Sequence, residues 1–142
     1  MAGYSGTPLA KKLGIKEGSR VSVLSGPRGF RGVLKESGGA GAAYCTSRAG
    51  GPFDVVVLFT KREVDLASRF GAAAGRLTEA GGLWVAWPKR ASGVATDLTE
   101  DTIRELGLAA GLVDNKVCAI DEVWSGLRFV KRVRDRAPKQ SR

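Results

Sequence analysis

Uninterrupted apolar runs dominate the hydrophobic pattern in the middle of the chain. Residues 53–59 (FDVVVLF) and 83–87 (LWVAW) consist almost entirely of apolar side chains. A strand has this continuous character when helices cover both faces of its sheet, as they do in parallel α/β proteins. A shorter run at 20–24 (RVSVL) ends in a Ser-Gly-Pro turn, which is typical of a buried strand that passes into a loop. The pattern therefore predicts three parallel strands.

Helical patterns follow both of the longer runs. Thr60 and Glu63 have the spacing of a capping box, and we expect the glycine pair at 81–82 to end the helix that they begin. The apolar face of this first helix would contain Leu66, Phe70, Ala74 and Leu77. A second helix is predicted to begin at Thr99, because the acidic residues that follow it suit the positive end of a helix dipole.

The remaining predicted elements are shorter. Two alternating runs, 116–124 and 127–133, flank a Ser-Gly pair at 125–126 and predict a C-terminal β-hairpin. A short helix is predicted at 30–36, and a brief edge strand at 43–46 within a loop rich in glycine and alanine. This order of elements predicts a three-layer, Rossmann-like α/β fold whose mostly parallel sheet ends in a C-terminal antiparallel hairpin.

The length of 142 residues favours one domain, which can bury a sizeable core. We place this domain at 1–133 and a basic, flexible tail at 134–142. The start of the chain lacks the apolar core of a signal peptide, and no later apolar run approaches the length of a membrane span. These features predict a cytoplasmic protein that does not enter a membrane.

The charge of the chain is strongly basic, with 23 Lys and Arg residues against 14 Asp and Glu and a net charge of +9. Such an excess favours polyanionic or phosphorylated partners, and it also serves simply to keep a surface soluble. Both interpretations stay open at this point.

Histidine is absent, and Cys45 and Cys118 are the only cysteines. The lack of histidine removes the usual general base and the commonest nitrogen ligand of metals. The two cysteines have no zinc-binding spacing and are expected to be free thiols. We therefore predict no catalytic residues, no metal and no cofactor, and the interpretation leans away from an enzyme.

The carboxyl ends of the three predicted strands carry cationic side chains. Ligands of open α/β sheets bind outside this edge, where helix starts also favour anions. Arginine can hold a phosphate or carboxylate through paired donors, and lysine acts there as a point charge. The alternative is that these are ordinary solvated loop residues. The predicted anion site consists of Arg28, Lys61, Lys89, Arg90 and Ser92.

The predicted hairpin and tail offer a second basic surface. By strand alternation, Arg128, Arg132 and Arg134 would share a face and could follow a nucleic-acid backbone. Charges on an edge strand also prevent sheets from pairing with each other. We prefer that second explanation, because no exposed aromatic residues are interleaved with the charges.

Aromatic and acidic residues near these surfaces have structural interpretations. Trp84 and Trp87 lie on a predicted buried strand and are interpreted as core residues rather than as platforms for ligand stacking. Trp124 stands beside the predicted hairpin turn and could contact a partner. Asp121 and Glu122 would point to opposite faces of a strand, so we interpret them as surface residues rather than a catalytic pair.

Two resemblances to known families accompany these patterns. The segments GYSGTPLAKKLGIKEG, LWVAWPKRASGVATDLTED and GLVDNKVCAIDEVWSGLRFVKR together resemble an actinobacterial family known only as a domain of unknown function. This resemblance covers almost the whole chain and implies no particular activity.

More distantly, residues 53–133 resemble the second half of class I S-adenosylmethionine-dependent methyltransferases. Asp54, Leu77 and the glycine pair at 81–82 stand in similar places, within the same order of strands, helices and terminal hairpin. The first half departs from that family, because VLSGPRG lacks its acidic residue and GxG loop and no acidic residue ends a second strand. The resemblance therefore implies the architecture of these enzymes and not their activity.

These observations lead to three hypotheses about function. The first is a non-enzymatic regulatory or adaptor module that binds an anionic ligand, bearing phosphate or carboxylate, or a protein partner. The alternatives are a nucleic-acid-binding protein and a reduced S-adenosylmethionine-dependent methyltransferase.

Overall fold

A single six-stranded sheet forms the centre of the protein. The computed structural model describes residues 7–45 and 50–136. The strands are β1 (Arg20–Leu24), β2 (Ala43–Cys45), β3 (Phe53–Phe59), β4 (Leu77–Pro88), β5 (Leu112–Ala119) and β6 (Trp124–Lys131). The helices are α1 (Leu9–Lys12), α2 (Phe30–Leu34), α3 (Glu63–Ala74) and α4 (Glu100–Ala109).

The spatial order of the strands is β2-β1-β3-β4-β6-β5. The first four are parallel, whereas β6 is antiparallel to both β4 and β5. The predicted α/β architecture, with a mostly parallel sheet and a terminal antiparallel hairpin, is confirmed. Because β6 lies between β4 and β5, the last of the described strands is inside the sheet and β5 forms one of its two edges.

Helices cover both faces of the sheet, as the continuous apolar runs predict. On one face α1 and α2 contribute Leu13, Phe30 and Leu34 to a cluster that includes Val57 and Trp84 of the sheet. On the other face α3 and α4 contribute Leu66, Phe70 and Ile103 to a second cluster. Trp84 is completely buried, and Trp87 is 7% exposed, which confirms their interpretation as core residues.

The indole of Trp84 ties α1 to the sheet. Its Nε1 donates a hydrogen bond of 3.0 Å to the carbonyl of Leu13, seventy-one residues away in sequence. A buried indole N–H needs such a partner, because leaving it unpaired would cost about 1–3 kcal/mol. The contact fixes the short helix α1, which is too small to be stable by itself.

The first long helix ends earlier than the sequence predicts. α3 stops at Ala74, and the chain turns so that Leu77 pairs with Phe53 at the start of β4. The prediction that the glycines at 81–82 end the helix is wrong, because both lie within β4. A glycine pair is typical of the end of a helix. Here glycine is needed at position 82 because the side chain of Arg128 on β6 comes close, and an added Cβ would overlap its guanidinium.

The capping box predicted for α3 is also absent. Arg62, not Thr60, is the N-cap residue, and no side chain of the N-cap itself accepts a bond. The backbone N–H of Glu63 instead donates to Oδ1 of Asp97 at 2.7 Å, so a distant loop supplies the capping oxygen. The prediction for α4 is confirmed, because the side chain of Thr99 accepts the N–H of Thr102.

The C-terminal hairpin turns at a different place from the prediction. Ser125 and Gly126 lie inside β6, and the turn is formed by residues 120–123. Asp121 organises it, because its Oδ1 accepts the N–H groups of Val123 and Trp124, both at 2.8 Å. Gly126 serves packing rather than turning, since an added Cβ would lie 3.0 Å from the ring of Trp84.

Several shorter predictions are confirmed. β1 and β3 have the predicted bounds, and a helix begins at Phe30 as expected, continuing into an irregular π-helical turn at Lys35–Gly39. Ala43–Cys45 forms an edge strand, although the last residue predicted for it lies outside the described residues. The tail at 134–142 stays a prediction, because residues 137–142 lie outside the described part; residues 134 and 135 belong to a 3-10 turn, Val133–Asp135.

Within residues 7–45 and 50–136, no helix has the length and apolar character needed to cross a bilayer.

Two helical glycines provide a matched test of this packing. Gly107 of α4 is buried, and an added Cβ would lie 2.7 Å from Cδ1 of Phe129, whereas Gly71 of α3 is exposed with open space around it. We expect Gly107→Ala to destabilise the protein by about 1–2 kcal/mol through overpacking, despite the better helix propensity of alanine. Gly71→Ala should stabilise it by about 0.5–1 kcal/mol. Urea denaturation measures both changes, and equal effects would contradict the packing of α4 on β6.

Candidate functional site

The carboxyl edge of the parallel strands contains a cleft at the point where the strand order reverses. From β1 the chain moves outward to β2 and then returns to β3 on the opposite side of β1. Ligands of open α/β proteins bind at such switch points. A cavity of about 560 Å³ opens there, which we call the switch-point cleft. It is lined by Ser25, Pro27, Phe59, Thr60, Lys61, Arg62, Asp65, Arg69 and Trp124.

One wall of the switch-point cleft is the turn that follows β1. Ser25 adopts a left-handed backbone conformation with φ of 59°. Residues with a Cβ rarely adopt this conformation, which costs about 1–2 kcal/mol, so the surrounding structure must hold the turn in place. The turn also encloses a neighbouring cavity of about 390 Å³, whose lining includes Arg28 and Arg31.

The opposite wall is formed by the end of β3 and the first turns of α3. Thr60 is buried, and its hydroxyl donates to Oδ2 of Asp65 at 2.8 Å. The same carboxylate forms an ion pair of 3.4 Å with Arg69, one helical turn further along. The negative charge of Asp65 is therefore balanced by the positive charge of Arg69.

Lys61 and Arg62 have no such partner in the described part of the chain. Among the described residues, no carboxylate lies within ion-pair distance of either side chain.

An aromatic floor joins the two walls. Phe59 is almost completely buried and packs edge-on against both Phe30 and Trp124, with ring centroids 4.9 Å apart in each pair. Trp124 is half-buried and lines the switch-point cleft, so part of its indole is open to a ligand. The cleft thus combines cationic groups with an aromatic surface.

The loop between β4 and α4 is held against this wall by two hydrogen bonds. Oγ1 of Thr96 donates to the carbonyl of Lys61 at 2.6 Å, and Asp97 accepts the N–H of Glu63. Lys61 and Arg62 line a second groove, of about 620 Å³, together with residues 94–97 of this loop. The loop therefore fixes the backbone that carries both cations.

The structure distributes the predicted anion-site residues over several cavities. Lys61 lines the switch-point cleft, Arg28 lines the cavity behind the β1 turn, and Arg90 lines a groove of about 610 Å³ beside residues 93–100. The hydroxyl of Ser92 donates to the carbonyl of Lys89 and accepts the N–H of Val94, so local bonds occupy it. None of these cavities has more than one of the five residues in its lining.

Three further residues of the switch-point cleft were not among the predicted site residues: Arg62, Asp65 and Arg69. Arg62 lines the cleft because α3 begins directly after it, whereas the sequence predicts an earlier helix start. Arg69 and Asp65 have the four-residue spacing of a helical ion pair, which is visible in the sequence. For Trp124, the sequence indicates only a contact with a partner.

The second predicted basic surface has a different geometry from the expectation. β6 ends at Lys131, so strand alternation cannot align Arg132 and Arg134 with Arg128. Arg134 lies in the 3-10 turn, where its Nε is 3.6 Å from Asp135. Arg128 alone of the three is on the strand, and it is half-buried.

Both cysteines are free thiols, as expected. Burial raises the pKa of the Cys118 thiol, although Lys12 and Lys116 act in the opposite direction. The thiol group is therefore protonated at neutral pH and is a poor nucleophile. Among the described residues, no cluster of three or more potential metal ligands is present.

Residues 10–133 match the profile of a family described as protein of unknown function (DUF3052). The chain belongs to the DUF3052 family. No curated protein matches its sequence.

Solved structures with a similar fold are S-adenosylmethionine-dependent methyltransferases. An O-methyltransferase of neocarzinostatin biosynthesis, in complex with S-adenosylmethionine and a naphthoic acid, has a TM-score of 0.63 and 14% identity, over 82% of this chain and 49% of its own. The calicheamicin-biosynthesis methyltransferase CalO1, bound to S-adenosylhomocysteine, has a TM-score of 0.64 and 15% identity, over 89% of this chain and 53% of its own.

A third similar structure is the magnesium protoporphyrin IX methyltransferase of Synechocystis PCC 6803 with bound S-adenosylhomocysteine. Its TM-score is 0.56 at 12% identity, over 80% of this chain and 74% of its own. The DUF3052 chain thus spans about half the length of the first two structures. At these identities the likeness shows the fold alone, and it confirms the architectural resemblance to class I methyltransferases.

Removing the capping carboxylate tests how the cleft wall is held. We expect Asp97→Ala to lower the free energy of unfolding by about 1 kcal/mol, because the N–H of Glu63 loses its acceptor. Amide exchange should also quicken in residues 93–99 and at the start of α3, as measured by mass spectrometry. Glu105→Ala removes the same charge from an exposed position on α4 and should change neither quantity. Unchanged exchange in Asp97→Ala would contradict this role.

Proposed function

We propose that the DUF3052 chain is a non-enzymatic binding module that holds a small phosphate- or carboxylate-bearing ligand in the switch-point cleft. The observation that carries the proposal is the pair of cations at the end of β3. Lys61 and Arg62 have no carboxylate partner among the described residues, while the one carboxylate of the cleft is matched by Arg69. A protein that binds such a ligand without transforming it would act as a regulatory or adaptor module.

The chemistry of the lining suits such a ligand. The planar guanidinium of Arg62 can donate two parallel hydrogen bonds to a phosphate or carboxylate, and Lys61 adds a mobile point charge. A volume of about 560 Å³ is within the usual range for small-molecule sites. The exposed part of Trp124 would contact an apolar or planar portion of the same molecule.

The same lining offers little for catalysis. The chain contains no histidine, and the carboxylate of Asp65 already accepts a hydrogen bond from Thr60 and an ion pair from Arg69. Both partners are protein groups that already occupy the only carboxylate among the described residues that line the cleft. The predicted cytoplasmic location and single-domain organisation form part of the same proposal.

S-adenosylmethionine, which the neocarzinostatin-biosynthesis methyltransferase contains, does not fit this donor set. Its reactive centre is a sulfonium cation, and Lys61, Arg62 and Arg69 place three positive charges around the cleft against one carboxylate. β2, with the sequence Ala-Tyr-Cys, has no carboxylate to accept hydrogen bonds from ribose hydroxyls. We therefore rank the methyltransferase alternative below the binding module.

A thermal-shift screen tests the binding proposal. Pyrophosphate, nucleotides and acyl-coenzyme A are suitable probes, and we expect at least one to raise the melting temperature by several degrees when it exceeds its Kd about a hundredfold. The double variant Lys61→Glu/Arg62→Glu should lose this shift.

The matched control reverses two charges elsewhere. Lys11→Glu/Lys16→Glu changes the net charge equally at two exposed positions outside the lining of the cleft, and it should retain the shift. The proposal is wrong if none of the probes shifts the wild type, or if both double variants respond to the probes alike.

Calorimetry with S-adenosylmethionine separates the module from the methyltransferase alternative. We expect no measurable binding heat at millimolar cofactor, because the cationic cleft opposes the sulfonium group. Saturable binding in the micromolar range would instead favour a reduced methyltransferase.

A further inference from the structure

The half-buried guanidinium of Arg128 lies over Gly82 of the sheet, and Arg128 is not among the residues that line the switch-point cleft. Arg128 of β6 pairs in register with Trp84 of β4, so both side chains are on the α1 side of the sheet. The guanidinium occupies the space that a side chain at residue 82 would fill, and only glycine permits this approach. The position of this guanidinium therefore depends on residues of two strands, Arg128 on β6 and Gly82 on β4.

Protein atoms satisfy this guanidinium only in part. Its one hydrogen bond among the described residues runs from Nη1 to Oδ1 of Asn115, at 3.3 Å. A guanidinium has five N–H donors, and no described carboxylate forms an ion pair with this one. Burial, followed by the positive charge of Arg136, lowers the pKa of Arg128. A cation is thus partly desolvated without a counter-charge.

Other cations, rather than carboxylates that could balance its charge, surround the guanidinium of Arg128. Lys116 is exposed and stands directly opposite Arg128 in the register of β5 and β6. Arg136 is held back over the hairpin by a hydrogen bond from its Nε to the carbonyl of Lys131. The nearby acids Glu79 and Asp135 are paired with Lys131 and Arg134. We call Lys116, Arg128 and Arg136 the hairpin basic surface.

Protection of a sheet edge does not account for this arrangement. Such charges are needed on edge strands, whose backbone groups are unpaired on one side, and the edges of this sheet are β2 and β5. Lys116 could serve that purpose, but Arg128 is on β6, which is paired on both sides. The cost of partly burying Arg128 therefore needs another explanation.

We propose that the hairpin basic surface binds the phosphate backbone of double-stranded nucleic acid. Phosphate oxygens would use the free donors of Arg128 and relieve the repulsion between it and Arg136. Lys116 would meet a neighbouring phosphate, and the net charge of +9 would steer association. Compared with the sequence prediction, Lys116 and Arg136 replace Arg132 and Arg134 as partners of Arg128.

The aromatic residues favour a duplex over a single strand. Binding of single strands depends on aromatic rings on which the bases stack. The large hydrophobic residues exposed in the described part of the chain are valines and a leucine, with no aromatic among them. A surface of cations alone suits phosphate contacts that are independent of sequence.

Fluorescence anisotropy with a mixed-sequence DNA duplex of about two helical turns tests the proposal. The wild type should bind at low salt, with an affinity that falls steeply as salt is added. We expect Arg128→Gln/Arg136→Gln to weaken binding by roughly tenfold or more and to reduce the salt slope by about 2. The matched single strand should bind more weakly than the duplex.

Two further variants separate geometry from charge. Lys16→Gln/Lys35→Gln removes the same charge from exposed positions outside the hairpin basic surface and should retain most of the affinity and slope. Gly82→Ala keeps every charge but displaces the guanidinium, and it should weaken binding if thermal melting shows that it folds. Absence of duplex binding at low salt, or equal losses in the two double variants, would overturn the proposal.

Discussion

The whole arrangement depends on the burial of β3 between two layers of helices and two parallel neighbours. All of its side chains except Asp54 are buried, alternating between the two apolar clusters, and its backbone pairs with β1 and β4. Burying a large aliphatic side chain contributes about 1.5–3 kcal/mol, so a strand of this kind fixes the position of everything attached to it. The residues directly after β3 must then lie at the carboxyl edge of the sheet.

This constraint accounts for the character of the candidate site. Thr60 and Lys61 leave β3 where the sheet can no longer shield polar groups, and the turn after β1 faces them across the reversal of strand order. The contacts of Thr96 and Asp97 hold the backbone after β3 from a distant loop, and on the other wall the surrounding structure keeps Ser25 in its left-handed conformation. A site with walls fixed in this way can bind a ligand without first ordering its own loops, which lowers the entropic cost of binding.

The sequence predicts the buried core more accurately than the residues at which helices and strands begin and end. Continuous apolar runs identify β3 and residues 83–87 of β4, because a strand that is buried on both faces consists almost entirely of apolar residues. Gly82 and Gly126 are of a residue type typical of turns, yet both lie inside strands, where they make room for Arg128 and Trp84 of the neighbouring strands. Thr60 has the sequence pattern of an N-cap, because Glu63 follows it at the spacing of a capping box. In the structure its hydroxyl donates to Asp65 instead, and the sequence does not distinguish these two arrangements. The anion site stays a prediction, and sequence alone does not show which of the loops at this edge line the same cavity.

The position of β6 inside the sheet has a consequence for how the protein is made. β5 pairs only with β6, yet it leaves the ribosome first, so its backbone groups have no strand partner until residues 124–131 emerge. A nascent chain that stopped short of this point would display two open strand edges, on β4 and on β5, instead of a completed sheet. Synthesis of residues 124–131 is therefore the step that joins β5 to the sheet, and chains truncated before them would expose unpaired strands to chaperones and proteases.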